Sequence, residues 1–295
     1  MNNIESIRRK PEQESRNLAR NLFLRFFVIK VDKNGGGFGR LTAFWCIAFF
    51  AFSIGAYAYD MELRDLDLSD WACLDRPGGD DGGKKDRLER NQMKGRRPID
   101  TTGMQFPALD WKGFLQLVRG YDQQLGGLAT RTEITTKAQQ QNLLKFQDRT
   151  VSITGWLLVA YPGPGESCNC NDKTIHDWHL EVFENKSDHP PDIGDPTGII
   201  CEVSPRTEQT IYTSGARIKN LAGYVRLENL KDKSTGHPAH KVRVTGYILW
   251  DDEHNGTNDV GETIAWRDNA NGYYPWRQTA WEIHPVFAIE DLGTE

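Results

Sequence analysis

Three features of this 295-residue sequence predict a mainly β protein whose chief domain is a small barrel. The first is a pair of near-identical strand-like segments 91 residues apart, Val151-Ser-Ile-Thr-Gly-Trp-Leu-Leu158 and Val242-Arg-Val-Thr-Gly-Tyr-Ile-Leu249. Both alternate in polarity and are rich in β-branched and aromatic residues. Each carries a Gly (Gly155, Gly246) at the same place, where a long strand bends so that a sheet can coil. The second feature is three further strand-like segments, Trp178–Phe183, Gly198–Ser204 and Ala280–Glu290. The third is a stretch with helical spacing between them, roughly Thr213–Leu230, with Ile218, Leu221, Val225 and Leu230 as its apolar positions.

The elements before the barrel follow from composition. Leu41–Tyr59 holds 19 residues without a charge. As a helix it spans roughly 28 Å, close to the hydrocarbon thickness of a bilayer. Residues 1–40 carry nine Lys/Arg against four Asp/Glu, and the far flank opens with Asp60-Met-Glu62. Positive flanks stay inside, so the expectation is a single-pass signal anchor in the inner (cytoplasmic) membrane. Its N-terminus is then cytoplasmic and residues 60–295 lie outside. Ala56-Tyr-Ala58 resembles a cleavage site, but 40 residues before the apolar run is long for a signal peptide. Asn21–Val31 has the pattern of either an interfacial amphipathic helix or an ordinary juxtamembrane segment.

Residues 60–109 read as a juxtamembrane stalk and flexible linker. The part from 75 to 103 is Gly-rich, charged and nearly without large apolar residues, so it offers little surface to bury against its chain entropy. Residues 110–148 read as a helical lead-in. Asp110 is placed to cap a helix with Trp111, Phe114, Leu115 and Val118 on one face, Gly126-Gly127 breaks it, and Thr136–Phe146 forms a second helix. Residues 149–295 then read β-β-β-α-β-β. That is the order of an OB-like five-stranded barrel, which binds ligands on its second and third strands and with the loops joining strands 1–2 and 4–5. Those loops are long here, Tyr161–Ile175 and Asp251–Thr279.

Two strands carry imidazole and carboxylate together. By the period-2 rule Asp177, His179 and Glu181 share one face while Trp178, Leu180 and Val182 take the other; Glu282 and His284 likewise oppose Trp281 and Ile283. The polar face of any half-buried strand is the bland explanation. Two such strands in one barrel point further, to a shared site in which His179 and His284 approach each other with Asp177, Glu202 or Glu282 beside them. His254, at the start of the 4–5 loop, is a further candidate for its rim. These residue types suit Zn or another divalent metal such as Mn or Fe. A competing cluster, Cys168-Asn-Cys170 with His176-x-x-His179, could hold Zn or Cu, but an exported domain makes a disulfide the first expectation. Cys73, Cys168, Cys170 and Cys201 are the candidates, and spacing does not choose their pairing.

The 4–5 loop also carries Trp266, Tyr273, Tyr274 and Trp276, aromatics suited to stacking on a carbohydrate or to pinning the loop. Residues 149–295 hold 13 Lys/Arg against 22 Asp/Glu, a sign that disfavours nucleic acid. The chain has no GxGxxG, no P-loop and no GxSxG elbow. Asn185-Lys-Ser187 and Asn255-Gly-Thr257 match the glycosylation pattern, which matters only in a eukaryotic secretory setting.

As a set, E-S-C-N-C (Glu166–Cys170), D-x-H-x-E (Asp177–Glu181), E-V-x-P-R (Glu202–Arg206), Val242–His254 and W-R-x-T-A-W-E-I-H-P-V (Trp276–Val286) resemble a group of bacterial proteins with a common small β domain. The resemblance covers about residues 149–290 and implies bacterial origin, but no activity. The expected function is a membrane-anchored binding or structural module outside the cytoplasm, with membrane contact through 41–59 and a protein or carbohydrate partner. The alternatives are a metal-dependent hydrolase using His179, His284 and neighbouring carboxylates, and an assembly subunit with no small-molecule site.

Overall fold

A computed structural model describes residues 61–78, 85–97, 104–191, 197–227, 231–254, 264–267 and 273–295. The predicted anchor and cytoplasmic segment lie outside these residues. Among the described residues no helix is long and apolar enough to cross a membrane.

In chain order the elements are α1 (Lys85–Lys94), β1 (Ala108–Asp110), α2 (Trp111–Leu125), α3 (Lys137–Gln147), β2 (Thr150–Pro162), β3 (Trp178–Phe183) and β4 (Ile199–Val203). There follow α4 (Pro205–Thr213), α5 (Ile218–Leu221), β5 (Tyr224–Arg226), β6 (Asp232–Ser234), β7 (Lys241–Trp250), β8 (Ile264–Arg267), β9 (Tyr273–Arg277) and β10 (Trp281–Asp291). β2, β3, β4, β10 and β7 close into a five-stranded barrel, because β2 pairs with both β3 and β7. Every pairing around the ring is antiparallel except β4 with β10, which run parallel with Ile283 opposite Cys201. This closed barrel is consistent with the OB-like form expected from the sequence.

Alternation builds the core. Trp178, Leu180 and Val182 of β3, Cys201 and Val203 of β4, and Trp281 and Ile283 of β10 join one apolar cluster with α2 and α3. Asp110 caps α2 by accepting from Gly113 N, and Gly126 ends it in the left-handed region at φ +85°. Trp111, Phe114, Leu115, Val118 and Tyr121 face the barrel. Tyr121 stacks on Phe146 of α3 at 4.0 Å and meets Trp281 edge-on, while Trp281 Nε1 donates to Asp122 at 2.6 Å.

Gly246 is required by close approach. A Cβ there would lie 2.5 Å from Pro285 O and 2.6 Å from Ile283 Cγ2. It sits where the β7–β10 register shifts between Ile283 and Val286. Pro285 has no N–H for the ladder, and β10 bulges there toward Gly246, the one residue of β7 without a side chain. Gly155 meets Phe183 O and Val182 in the same way on β3.

Three expectations need correction. The helix between the third and fourth barrel strands is not Thr213–Leu230. It is α4, eight residues upstream, followed by the single turn α5. Ser204-Pro205 starts it, since Pro at the first helical position loses no hydrogen bond, and Gly215 at φ +97° follows its end. Tyr224–Arg226 instead adds an edge strand beside β2. Second, the stretch read as a flexible linker contains α1, which buries Arg90, Asn91 and Lys94. Arg90 and Lys94 hold it through ion pairs to Asp252, Glu253, Glu166 and Glu202, which a hydrophobicity argument does not register. Third, the 4–5 loop is not structureless: β8 and β9 form a two-stranded antiparallel ribbon in it.

Among the described residues one bridge, Cys73–Cys170, ties the residues before α1 to the 1–2 loop; Cys168 and Cys201 are free and buried.

Urea unfolding of two Ala variants tests the account of the barrel bend. Gly246→Ala should cost about 1–3 kcal/mol through backbone overpacking. Gly120→Ala, mid-helix in α2 with open space at its Cβ, should gain about 0.5–1 kcal/mol. Equal midpoints for Gly246→Ala and wild type would contradict the close-approach explanation.

Candidate metal centre

The site is a consequence of strand register. β3 and β4 pair His179 opposite Glu202. β4 and β10 pair Cys201 opposite Ile283, so Glu202 on the other face lies beside Glu282 and His284. The core-facing residues of all three strands are apolar, and the reverse faces converge on one carboxylate. Glu202 Oε1 is 3.0 Å from His179 Nε2, and Glu202 Oε2 is 2.8 Å from His284 Nδ1. The Nδ1–H of His284 is aligned on Glu282 Oε1 at 3.1 Å, so its contact with Glu202 is an ion pair rather than an aligned hydrogen bond. Its Nε2 faces Asp177 Oδ2 at 3.9 Å. Asp177, Glu202, Glu282 and His284 are all at most 1% exposed, and His179 is 4% exposed.

Loops and α1 close the arrangement. Glu166 of the 1–2 loop approaches His179 Nε2 at 3.9 Å, and Cys168 Sγ lies 3.5 Å from both Glu166 and Asp177. Lys94, at the end of α1, sets its ammonium 3.0 Å from Glu166 Oε2 and 3.7 Å from Glu202 Oε2. Arg277 pairs with Glu282 at 3.1 Å and with Asp251 at 3.4 Å. Arg206 holds the loop in place: it donates to Leu74 O at 3.0 Å, to Asn169 Oδ1 at 3.2 Å and to Cys73 O. The disulfide fixes the same two segments.

Three overlapping groups have ligand atoms close enough to share an ion: Glu166–His179–Glu202, Glu166–Cys168–Asp177 and Asp177–Glu202–His284. Several of their polar atoms are buried without a hydrogen-bond partner, among them His284 Nε2, Asp177 Oδ1 and His179 Nδ1. Such atoms are costly when they stay unpaired.

The charges are strongly perturbed. Burial would lower the pKa of His284, but Glu202, Glu282 and Asp177 push it up to about 10. His179 is raised by Glu202 and Glu166 against the same burial. Glu202 has its carboxyl held well below the ordinary range: burial opposes this, and His179, Lys94 and His284 overcome it. Asp177, where burial wins, rises to about 6. Burial also pushes the Cys168 thiol well up, reinforced by Asp177 and Glu166. Lys94 stays charged, since Glu166 and Glu202 outweigh its burial.

The structure brings together His179, His284, Asp177, Glu202 and Glu282 of the predicted set. His254 does not join them. It sits in a one-turn helix after β7 and pairs with Asp251, the carboxylate three residues before it. Glu181 turns away to Arg226, 2.5 Å from its carboxylate. The Cys/His alternative fails, because Cys170 is bonded to Cys73 and His179 faces Glu202. Trp266, Tyr273, Tyr274 and Trp276 fall on the β8–β9 ribbon, where Trp266 is opposite Tyr274; their side chains lie outside the described residues. Sequence reasoning missed Glu166, Lys94, Arg277 and Asp251 as members of this cluster. Glu166 and Arg277 stand inside the quoted motifs and could have been included; Lys94 carries no local signal.

The pH dependence of the chelator-treated protein follows from His284. Its folded pKa of about 10 lies above the unfolded value of about 6.5, so its contribution is complete below pH 6.5 and disappears as pH rises to about 10. From His284 alone stability should therefore decline across pH 6.5–10 by up to about 1.4 kcal/mol per pH unit, with His179 shifted in the same direction, and His284→Gln should reduce the slope. An unchanged slope in urea titrations of His284→Gln would refute the assignment.

Comparisons of this chain with protein-family models, with curated proteins and with solved structures find no match, so the reading of the site rests on its own geometry.

Proposed function

We propose that the barrel is a divalent-metal-binding module of OB-like form. In this reading Asp177, Glu202 and His284 Nε2 hold the ion, Glu282 orients His284 through its Nδ1–H, and His179 steadies Glu202 from the other oxygen. A carboxylate behind a ligating imidazole sets its tautomer and basicity. The observation that carries the proposal is the buried convergence of two imidazoles on one carboxylate, with His284 Nε2 and Asp177 Oδ1 lacking hydrogen-bond partners. A divalent cation that displaces the His284 Nε2 proton would pair with both atoms. Imidazole with carboxylates suits Zn, Mn or Fe.

Binding is favoured over the metal-dependent hydrolase. A hydrolytic ion needs an open coordination position with room for substrate. Here the ligands are at most 1% exposed, and a cavity of about 640 Å³ lined by Asp65, Leu68, Arg97 and Arg206 shares no residue with them. The motifs that resemble a bacterial protein group supply the cluster: Glu166 and Cys168, Asp177 and His179, Glu202, Glu282 and His284. That supports a bacterial origin. The net positive residues 1–40 before the uncharged run 41–59 support an inner-membrane anchor with the barrel outside the cytoplasm.

Elemental analysis tests the metal. Full-length protein, stripped with EDTA and dialysed against Zn(II) or Mn(II), should retain metal stoichiometrically. His284→Ala should lose at least nine-tenths of it and His189→Ala, on an exposed loop, none. Wild-type retention at background level would end the proposal, as would full retention in His284→Ala.

Orientation has its own test. Ser214→Cys, on an exposed turn after α4, should react with a membrane-impermeant maleimide in intact spheroplasts in a Cys46→Ala background. Reaction only after lysis would place the barrel in the cytoplasm.

A further inference from the structure

The centre has two matched halves. Glu166–His179–Glu202 and Asp177–Glu202–His284 each contain one imidazole and two carboxylates within 4.8 Å. They share Glu202, whose two oxygens face different imidazoles, Oε1 toward His179 and Oε2 toward His284. A carboxylate bridging two His/carboxylate sets is the donor pattern of a two-metal centre.

One half already has a cation. Lys94 Nζ stands 3.0 Å from Glu166 Oε2 and 3.7 Å from Glu202 Oε2, and the residue is 5% exposed. It is not a surface side chain that swings aside. It ends α1, which is held on the barrel by Arg90 to Asp252 at 3.3 Å and by Asn91 accepting from Ser167 at 3.2 Å. A divalent ion placed between Glu166, His179 and Glu202 would meet this ammonium at close range in a water-poor site, where like charges repel strongly. The other half meets this ammonium only at the shared carboxylate, Glu202 Oε2 at 3.7 Å, and its His284 Nε2 and Asp177 Oδ1 lack hydrogen-bond partners.

We propose that Lys94 is the resident cation of the Glu166–His179–Glu202 half and so limits a centre with ligands for two metal ions to one. The inference rests on the metal-binding reading of the site and adds its stoichiometry and the residue that sets it. It also gives α1 a purpose that its sequence hides: the helix delivers one positive charge to a fixed point.

The test uses Mn(II) as probe with EDTA-stripped, full-length protein, measured by metal analysis and by electron paramagnetic resonance. Wild type should bind one Mn(II) per chain, with the six-line spectrum of an isolated ion. Lys94→Met should bind two, with the six-line signal replaced by that of an exchange-coupled pair, and Lys94→Arg should stay at one. One ion in Lys94→Met, or two in wild type, overturns the proposal. Asp177→Asn, with Lys94 intact, gives an answer even if Lys94→Met does not accumulate. It should lose the single ion, and retention would place that ion in the half assigned to Lys94 and overturn the inference. No Mn(II) in either wild type or Lys94→Met defeats the metal-binding reading itself. No ion in wild type with uptake in Lys94→Met overturns the one-ion stoichiometry by showing that Lys94 excludes metal altogether.

Discussion

Glu202 is held between two imidazoles, and much of the domain is arranged around that fact. A carboxylate at 1% exposure cannot remain ionised without compensation. Here compensation comes from three directions: His179 across an antiparallel pair, His284 across a parallel pair, and Lys94 from a helix outside the barrel. The one parallel pairing in the ring is therefore what makes the site. It sets β10 beside β4 and carries Glu282 and His284 to the same face as Glu202.

On β3 and β4 the face opposite the apolar core is as buried as the core itself. All six residues of β3 and all five of β4 are buried. The domain has in effect two interiors, one filled with Trp, Ile, Leu and Val and one with ion pairs. The second is closed by segments that contribute few apolar contacts: α1, the 1–2 loop and the residues around Cys73. These are fastened by specific links instead, namely the Cys73–Cys170 bridge, Arg206 on Leu74 and Asn169, and Arg90 on Asp252. Arg131 strengthens the same edge by donating twice to Asp252 at 2.8 Å. A buried ionic layer contributes less to stability than an apolar one of equal size, because desolvation offsets much of the Coulombic gain. What it provides is a fixed geometry for charged groups, the property a metal-binding module requires.

The parts of the fold read most clearly from sequence were those governed by local rules. Alternation in Trp178–Phe183 and Trp281–His284 separated core from polar face as observed. The cap at Asp110, the apolar spacing of α2 and the glycines of the two similar strands were also legible. The helix after β4 differs from the expectation over 213–230: it starts at Ser204-Pro205, a signal that the spacing of apolar residues does not contain. Of the site, the two His/carboxylate pairs were legible as pairs. His254 was attached to them only by its place at a loop start, and a neighbouring aspartate claimed it instead.

What the sequence determined by itself is which side chains leave the apolar core, since that depends only on a strand's two-residue period. Which of those side chains meet was decided by tertiary structure, through the order in which strands close the ring and the segments laid over it. His179 and Glu202 are 23 residues apart in sequence, Glu202 and His284 are 82 apart, and Lys94 precedes Glu202 by 108. No local rule links positions so far apart. They come together because pairing register, a disulfide and a few buried ion pairs bring their charges within 4 Å, where in a water-poor interior each charge requires the others.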